Sequence, residues 1–392
     1  MKNFHTSWSL LTPSTRVTSL VTDDSDMSEI AKNASLLAGN VHRITFVVLG
    51  VICVLLSPVK AQQASGNTEN TDASPPKNTI VAKIAVGSDP VAAVVSPDSS
   101  KVYVASGLAN SISVIDASTN TVTSVIQLKV VPAGIALTPD GSTLYVTAGS
   151  AGKVIVIDTS TNTVTAVIKV ASAALELAVS PDGKSIYVPC LSEIDVISTA
   201  TKHVTATVPV PDQAEPIQVV FNRDGTDAYA VCLVTVLKNR VLGGLLQIDT
   251  SSLKVAEYLW NRRGYGSEVV DTHNTLFVAE RFRNKQGATV PALEIFNTVT
   301  KKSIGKISFI PYDGGVYGTP AVTPDGKYLY VASSPDIIIV DIATQKAVGE
   351  PIPIGGAHCL AIAPNGKYLY AGNDIGEPNQ TGVLFVIAIS AQ

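Results

Sequence analysis

From residue 78 onward a single phrase recurs along the chain, and this repetition constrains the fold more than any other feature. Its clearest copy runs from Ala136 to Ile168. Each copy contains a short apolar segment, a Ser/Thr-Pro-Asp-Gly turn, a segment around Tyr-Val, and a Val-Ile-Asp segment that leads through Thr-Asn into Val-Thr-x-Val-Ile. Short runs rich in Val, Ile and Thr between turn residues predict strands, so each copy should contain four strands.

The turn marks the period of the repeat. It falls at seven places, with successive spacings of 42, 42, 42, 49, 52 and 40 residues: Pro97-Asp98, Pro139-Asp140, Pro181-Asp182, Arg223-Asp224, Thr272-His273, Pro324-Asp325 and Pro364-Asn365. A period of about 40 to 45 residues with four strands per unit is typical of a β-propeller blade. The repeat therefore predicts an all-β fold, a seven-bladed β-propeller of four-stranded blades over residues 78–390.

The two ends of the repeat region predict how the ring closes. The segment Asn78 to Ile84 resembles the fourth-strand phrase Asn162 to Ile168, whereas the seventh unit ends at Ile389 after three strands. We therefore expect the N-terminal strand to complete the last blade, which would remove the free sheet edges of an open ring.

Composition restricts the class of protein and of partner. Of 392 residues, 46% are hydrophobic and 15% are charged, which excludes a disordered or coiled-coil protein. Residues 62–392 contain 23 basic and 28 acidic side chains, a balance of −5. This mild acidity disfavours nucleic acid as a partner, although it leaves room for a local basic face. We expect a monomer.

The N-terminal region, residues 1–61, has the features of a secretion signal. Its apolar core, Ile44 to Leu56, has 13 residues and is shorter than a membrane-spanning helix requires. Arg43 precedes the core, and small residues favour cleavage after Ala61, with Met27 as an alternative start. This predicts a periplasmic or extracellular protein with no stable membrane insertion after cleavage; the alternative is an uncleaved anchor. Residues 62–77 have the composition of a flexible linker.

Cysteine and histidine are too sparse for a disulfide framework or a metal site. Once Cys53 is removed with the signal, Cys190, Cys232 and Cys359 remain, an odd number without C-x-x-C spacing, and they should be small buried hydrophobic residues. The remaining chain has three histidines: His203, His273 and His358. We therefore predict no metal and no cofactor.

The Tyr-Val segments carry a family resemblance. Tyr103-Val104-Ala105, Tyr145-Val146-Thr147 and Tyr330-Val331-Ala332, with the Val-Ile-Asp and Thr-Asn-Thr-Val elements, resemble the YVTN-type repeat of secreted and periplasmic β-propellers in the lactonase-like superfamily. The resemblance covers about residues 78 to 390. It implies the propeller fold but leaves function open, because such propellers include binding proteins, cell-surface proteins and lactonase-like enzymes.

Two sets of aspartates follow the repeat and could suggest metal binding or acid/base chemistry. One set lies in the turns and the other ends the third strands: Asp98, Asp140, Asp182, Asp224 and Asp325, then Asp116, Asp158, Asp249 and Asp341. Because their spacing is that of the fold itself, we interpret both sets as turn residues that bind nearby backbone amides.

The first strand of each blade should line a central channel, and alternation selects the residues that face it. The position two before the turn is bulky and should pack between blades, while the positions three and five before it should face the axis. The first of these axial sets is Val94, Ala136, Ala178, Val220, Val269, Ala321 and Ala361. The second, which we name the inner ring, is Ala92, Gly134, Glu176, Gln218, Ser267, Thr319 and Cys359. Glu176 is the one charged residue in this set. Two interpretations of its role are open: an acid/base group or ligand anchor, or a solvated channel residue.

Insertions in blades 4 to 6 should gather basic and aromatic residues on one face of the ring. Loops between blades and loops between the second and third strands should emerge on the same face of the ring, which we name the top face. The candidate binding residues there are Gln218, Lys238, Arg240, Trp260, Arg262, Arg263, Tyr265, Arg281, Arg283, Tyr312, Tyr317 and His358, with Lys285 in the same stretch. Arginine forks and aromatic faces would suit an anionic or sugar-like ligand, or a protein partner. The alternative is an exposed, charged surface without a ligand.

These features support two hypotheses of function. The first is a secreted or periplasmic binding propeller that presents its top face to a small molecule or protein and has no catalysis of its own. The second is a lactonase-like hydrolase or isomerase with Glu176 as base at the channel mouth. The chain contains no G-x-S-x-G, H-E-x-x-H or G-x-x-x-x-G-K-[ST] motif, which favours the binding hypothesis.

Overall fold

The structure is a computed structural model that describes residues 75–390, except 172–173, 211–213, 235–242, 263–264, 272–273, 284–288, 309–319, 334 and 374–380. The predicted signal region 1–61 and nearly all of the linker 62–77 lie outside the described residues. Within the described part of the chain, no helix has the length and apolar character needed to cross a membrane.

Twenty-nine strands and one short 3-10 helix, Gly149–Ala151, are described. The first strand is β1 (Lys77–Val86). Blade 1 contains β2 (Pro90–Val95), β3 (Lys101–Ser106), β4 (Ser111–Asp116) and β5 (Thr121–Gln127). Blade 2 contains β6 (Ile135–Leu137), β7 (Thr143–Ala148), β8 (Lys153–Asp158) and β9 (Thr163–Lys169). Blade 3 contains β10 (Ala178–Val179), β11 (Ser185–Pro189), β12 (Glu193–Ser198) and β13 (His203–Pro209).

The remaining blades follow in the same order. Blade 4 contains β14 (Ala214–Phe221), β15 (Asp227–Val234), β16 (Gly243–Asp249) and β17 (Lys254–Arg262). Blade 5 contains β18 (Tyr265–Asp271), β19 (Thr275–Arg283), β20 (Thr289–Asn297) and β21 (Lys302–Ser308). Blade 6 contains β22 (Ala321–Val322), β23 (Tyr328–Ala332), β24 (Asp336–Asp341), β25 (Lys346–Ala347) and β26 (Ile352–Pro353). Blade 7 contains β27 (Cys359–Ile362), β28 (Tyr368–Asn373) and β29 (Gly382–Ser390).

Each blade is an antiparallel sheet, and in blades 1 to 6 its strands are consecutive in sequence; the predicted seven-bladed propeller is confirmed. In blade 6 the outer strand is divided, because β25 and β26 both pair with β24. In blade 7 the order is β1-β29-β28-β27, so the N-terminal strand completes the last blade as predicted. Tyr330 Oη of blade 6 donates a hydrogen bond to Asn78 Oδ1 at 2.8 Å, which fastens β1 to the neighbouring blade.

The core lies between the blades, in one apolar cluster at each junction of the described residues. Here one prediction was wrong. Leu137 packs with the cluster between blades 1 and 2, and its neighbour Ala136 packs with the cluster between blades 2 and 3. Successive side chains of the first strand therefore point to the two opposite faces of the blade, and a neighbouring blade covers each face. They do not alternate between a packed side and a side that faces the channel. The edge of the first strand faces the axis.

The register of blade 5 corrects two members of the axial sets. In blade 1, Val94 lies three positions before the turn and pairs with Tyr103 of the second strand. Phe277 is the matching aromatic residue of blade 5, and it pairs with Val270 and not with Val269. The hairpin connection has four residues in blade 5 (272–275) and six in blade 1 (96–101), and this difference shifts the register; the bulge between Gly266 and Glu268 recurs in blade 1 between Pro90 and Ala92 and does not contribute. Glu268, and not Ser267, therefore occupies the inner-ring position of blade 5.

The repeating aspartates are turn residues, as interpreted. Asp98 Oδ1 accepts from the backbone N of Ser100 at 3.0 Å and from Ser96 Oγ at 2.5 Å, and Asp140 makes the same pattern with Ser142 and Thr138. At the ends of third strands, Asp158 Oδ1 accepts from the backbone N of Ser160 at 2.9 Å. These local bonds account for both sets without a ligand.

These turns predict a specific acid response. Side-chain and backbone hydrogen bonds lower the pKa of Asp98, and likewise those of Asp158 and Asp249, from the ordinary 3.8 to about 2. A carboxylate whose pKa is lowered in the folded state stabilises the fold at pH values above 3.8, its ordinary pKa. This contribution is lost as the pH falls toward 2. We therefore expect the melting temperature to change little between neutral pH and pH 5 and to fall steeply below pH 4.

The acid response can be tested by exchanging carboxylate for amide in the turns. Asp98→Asn, Asp158→Asn and Asp249→Asn together should make the fall in melting temperature shallower, because Asn can accept the same backbone bond, as Asn365 Oδ1 does from Lys367 N at 2.9 Å. The reverse change, Asn365→Asp, should make it steeper. An acid transition of unchanged steepness in both variants would contradict this account.

Candidate channel-mouth site

A cavity of about 450 Å³ lies on the propeller axis, and residues from the first strands of five blades line it. Most of its lining residues are apolar, Ala178 and Val220 among them, but polar atoms contribute about as much of the wall surface as apolar atoms do. All five inner-ring residues of blades 1 to 4 and 7 line this cavity: Ala92, Gly134, Glu176, Gln218 and Cys359. Their sequence neighbours, such as Val91, Ala93 and Leu177, line it as well, so the cavity does not single out this set.

The backbone of Glu176 is held from both sides. Its N–H donates to the carbonyl oxygen of Ile217 in blade 4 at 3.3 Å. On the other side, Gly134 of blade 2 comes so close that a Cβ at this position would lie 2.9 Å from Glu176 Cα. Glycine is therefore needed where blade 2 meets blade 3 at the channel mouth, and Glu176 is presented to the cavity at a fixed place. Its side chain is half-buried.

Gln218 follows at the same position of blade 4. Its side chain is 4% exposed and lines the cavity. A bulge between Pro216 and Gln218 sets its register on β15, where it pairs with Val231. Buried amides are normally hydrogen-bonded, and Gln218 has an interaction partner in the protein.

Cys359 lies in the cavity wall and remains a thiol at neutral pH. Burial, with smaller contributions from the charges of Glu176 and Asp89, raises the pKa of this thiol to about 12. The carboxylates of Glu176 in blade 3 and of Asp89 at the junction of blades 7 and 1 thus both act on the Cys359 thiol. Cys190, Cys232 and Cys359 are all free and buried, as predicted. A thiol with a raised pKa is a poor nucleophile.

His358 lies at the rim beside Cys359. Its backbone N donates to the carbonyl oxygen of Gly372 at 2.8 Å, and its Nδ1 is 4.0 Å from Asp89 Oδ1. The imidazole is about half exposed, with 46% of its side-chain surface accessible. His203 lies away from this region at the start of β13, where its Nδ1 is 2.6 Å from the carbonyl oxygen of Thr201.

The structure places several basic and aromatic candidates in strands rather than in loops. Trp260 and Arg262 belong to the end of β17, Tyr265 begins β18, and Arg281 and Arg283 belong to the end of β19. The inserted residues pair with neighbouring strands: Arg262 with Gly243, Tyr265 with Arg281, and Arg283 with Thr289. Pairing satisfies backbone groups that a loop would leave to water. These strand ends meet at the top edge of blades 4 and 5.

Other candidates lie outside the described residues: Lys238, Arg240, Arg263, Lys285, Tyr312 and Tyr317. Among the described residues there is no group of three or more His, Cys, Asp or Glu side chains that could hold a metal ion.

Sequence analysis did not identify three residues that belong to the inner-ring register, to the surroundings of Cys359 or to the cavity wall. Glu268 was hidden by the shifted hairpin; alignment on the second-strand aromatic, Phe277, instead of on the turn would have found it. Asp89 lies outside the repeat phrase, between β1 and β2. Arg223, treated only as a turn residue, lines the cavity.

The fold and the cavity together define a class: a seven-bladed β-propeller with a polar site at one end of its channel. No protein-family model matches the sequence, and no curated protein matches it. Among solved structures, hydrazine synthase of Kuenenia stuttgartiensis is similar, with a TM-score of 0.70 and 22% identity over 84% of this chain and 100% of that chain. At this level of identity the similarity shows the fold alone.

Proposed function

We propose that this chain is a binding propeller of the periplasm or the extracellular space, which presents its top face and channel mouth to a small molecule or protein and has no catalysis of its own. The observation that carries the proposal is the cavity of about 450 Å³, which Glu176, Gln218 and Cys359 line together with apolar residues such as Ala178 and Val220. A preformed concave site with a few convergent polar groups is the usual form of a ligand site.

Two further observations support binding over catalysis. The raised pKa of Cys359 keeps the thiol protonated, so it does not supply a nucleophile. The turn aspartates use their oxygens in local backbone bonds, so they are not free for acid/base work. The location outside the cytoplasm rests on the signal-like segment Ile44 to Leu56 and on the resemblance to YVTN-type propellers.

A thermal-shift screen over sugars, lactones, carboxylates, amines and oligonucleotides tests the proposal. We expect at least one class to raise the melting temperature in a saturable way. Arg281 and Arg283 belong to the end of β19, and we propose that they contact an anionic ligand; Arg281→Ala with Arg283→Ala should then weaken that ligand by at least about tenfold if its contacts are desolvated.

The matched control is Lys184→Ala, which removes an exposed cation from a turn between first and second strands, on the opposite face. This variant should bind as the parent does. Turnover of any lactone or ester, abolished by Glu176→Gln while binding survives, would replace the binding proposal with the lactonase-like one. A screen in which no class binds would refute it.

A further inference from the structure

The top edge of blade 2 has a pair of lysines that its neighbours lack. Lys153 begins β8 and Lys169 ends β9, and the two residues lie directly opposite each other across the strands. Blades 1 and 3 have other pairs at the same position: Ser111 with Gln127, and Glu193 with Pro209. Like charges directly opposite each other destabilise a sheet, so the local fold does not explain why blade 2 has two lysines here.

A third lysine lies over the same junction between blades. Lys129 belongs to the connection from β5 to β6, and its neighbour Leu128 packs in the cluster between blades 1 and 2. Lys153 lies on the blade face that is turned to this junction, because Ile155, two residues further on, packs in the same cluster. The side chains of Lys129, Lys153 and Lys169 are exposed, and none of them forms an ion pair with a described residue.

Two exposed aliphatic side chains belong to the same surface. Leu108, in the loop between β3 and β4, is 66% exposed, and Val131, in the connection from β5 to β6, is 45% exposed. The two segments are joined by a hydrogen bond from Leu128 N to the carbonyl oxygen of Asn110 at 2.7 Å. We name as the basic patch the five exposed residues Leu108, Lys129, Val131, Lys153 and Lys169.

Carboxylates of the top face lie to either side of the basic patch. Among the described residues, Asp89 lies at the junction of blades 7 and 1, where its Oδ1 is 4.0 Å from His358 Nδ1. Glu176 lines the channel, and Glu193 begins β12 of blade 3. The basic patch is therefore confined to the junction between blades 1 and 2.

The opposite face of the same two blades is negatively charged. Four aspartates lie in its turns, against one lysine, Lys101: Asp98, Asp116, Asp140 and Asp158. Hydrogen bonds in these turns lower the pKa of each aspartate below the ordinary 3.8, so all four are ionised at neutral pH. Blades 1 and 2 thus have opposite charges at their two ends, an arrangement that would orient the protein at an anionic surface.

We infer that the basic patch binds the surface of an anionic lipid bilayer, with Leu108 and Val131 in the headgroup region and the three lysines against the lipid phosphates. Exposed aliphatic side chains flanked by lysines suit a surface that lies on a membrane, because apolar burial and charge attraction then act together. Such binding is peripheral and leaves the protein outside the hydrocarbon core. It concerns a surface other than the channel mouth and does not depend on the proposed function.

A bilayer fits this surface better than an acidic protein does. Protein interfaces are enriched in aromatic residues and arginine and depleted in lysine. The described top-face segments that surround the patch, 106–111, 127–133 and 148–153, contain lysine but neither an aromatic residue nor arginine. Lysines attract lipid phosphates without the defined geometry that a protein partner requires.

The test compares two triple variants of the full chain that lose the same charge. The first is Lys129→Ala with Lys153→Ala and Lys169→Ala. The control removes three exposed lysines from turns of the opposite face: Lys184→Ala, Lys327→Ala and Lys367→Ala. Co-sedimentation with vesicles of equimolar phosphatidylcholine and phosphatidylglycerol should show at least about tenfold weaker binding by the first variant and parental binding by the control. Binding by the parent should fall as salt is added. The apolar segment Ile44 to Leu56 is present in every variant and contributes equally to each.

A second measurement reports whether Leu108 enters the headgroup region. In Leu108→Trp, the fluorescence of the new tryptophan should shift to shorter wavelength when the anionic vesicles are added. The control is Val299→Trp, at a position that is 69% exposed in a turn of the opposite face, and its fluorescence should not shift. Subtraction of the parent spectrum removes the contributions of Trp8 and Trp260.

Several results would overturn the inference. These are failure of the parent to bind the anionic vesicles, equal binding by the two triple variants, and a Leu108→Trp spectrum that the vesicles leave unchanged. The fluorescence result decides if the first triple variant fails to fold. Binding of polyglutamate but not of vesicles, with dependence on the three lysines, would replace the bilayer with an acidic protein partner. None of these results concerns the channel, so the proposed function is tested separately by its own screen.

Discussion

Deletion of residues 78 to 86 is expected to abolish cooperative unfolding and to cause aggregation. The deletion removes nearly all of β1, whose residues pair with β29 from Asn78↔Ile389 to Val86↔Gly382. It also removes Ile84 and Val86, which are 6% and 5% exposed and pack in the cluster between blades 7 and 1. Each such side chain contributes about 1.5 to 3 kcal/mol on burial. The remaining three-strand blade would expose the edge of β29 to other chains.

The experiment compares the deletion with a chain that starts at Pro75 and keeps all of β1. Thermal unfolding and light scattering report cooperativity and aggregation. We expect one sharp transition for the chain that keeps β1, and a broad transition or precipitation for the deletion. An unchanged midpoint and solubility after the deletion would mean that β1 does not close the ring.

Gly382→Ala is expected to destabilise the protein by at least about 2 kcal/mol. A Cβ at this position would collide with the carbonyl oxygen of Gly87 and would lie 2.9 Å from Pro90 Cδ. Both obstacles belong to backbone or to a proline ring, which cannot rotate away as a flexible side chain can. The collision lies where β29 begins and β1 passes into β2, so relief would require the closing strand pair to separate.

Gly149→Ala is the matched control, because a Cβ there would meet only Ala133 Cβ at the ordinary distance of 3.8 Å. Denaturant titration should place its unfolding free energy within about 0.5 kcal/mol of the parent. The Gly382→Ala midpoint should fall well below both. Equal midpoints for the two variants would show that the closing junction has room to adjust.

The sequence by itself determined the architecture, because the relevant signals are local and repeated. The turn at Pro97-Asp98 and its copies, the strand-forming runs between them and the β1-like phrase at Asn78 predicted seven blades, four strands per blade and closure by the N-terminal strand. The same locality explains why the aspartates were assigned correctly: Asp98 and Ser100 are two residues apart, so their bond needs no knowledge of the rest of the chain.

Tertiary structure alone decided which residues meet at the channel mouth. Asp89, Glu176 and Cys359 belong to distant parts of the chain, and only the closed ring brings the two carboxylates close enough to act on the Cys359 thiol. The register position of Glu268 in blade 5 depends on a shortened hairpin, which shifts the pairing by one residue relative to the turn without changing the strand pattern. Whether Arg262 and Arg281 lie in loops or strands depends on cross-strand partners, Gly243 and Tyr265, that a local pattern does not specify. Periodicity is a property of each segment, whereas register and convergence are properties of the pairs that the fold creates.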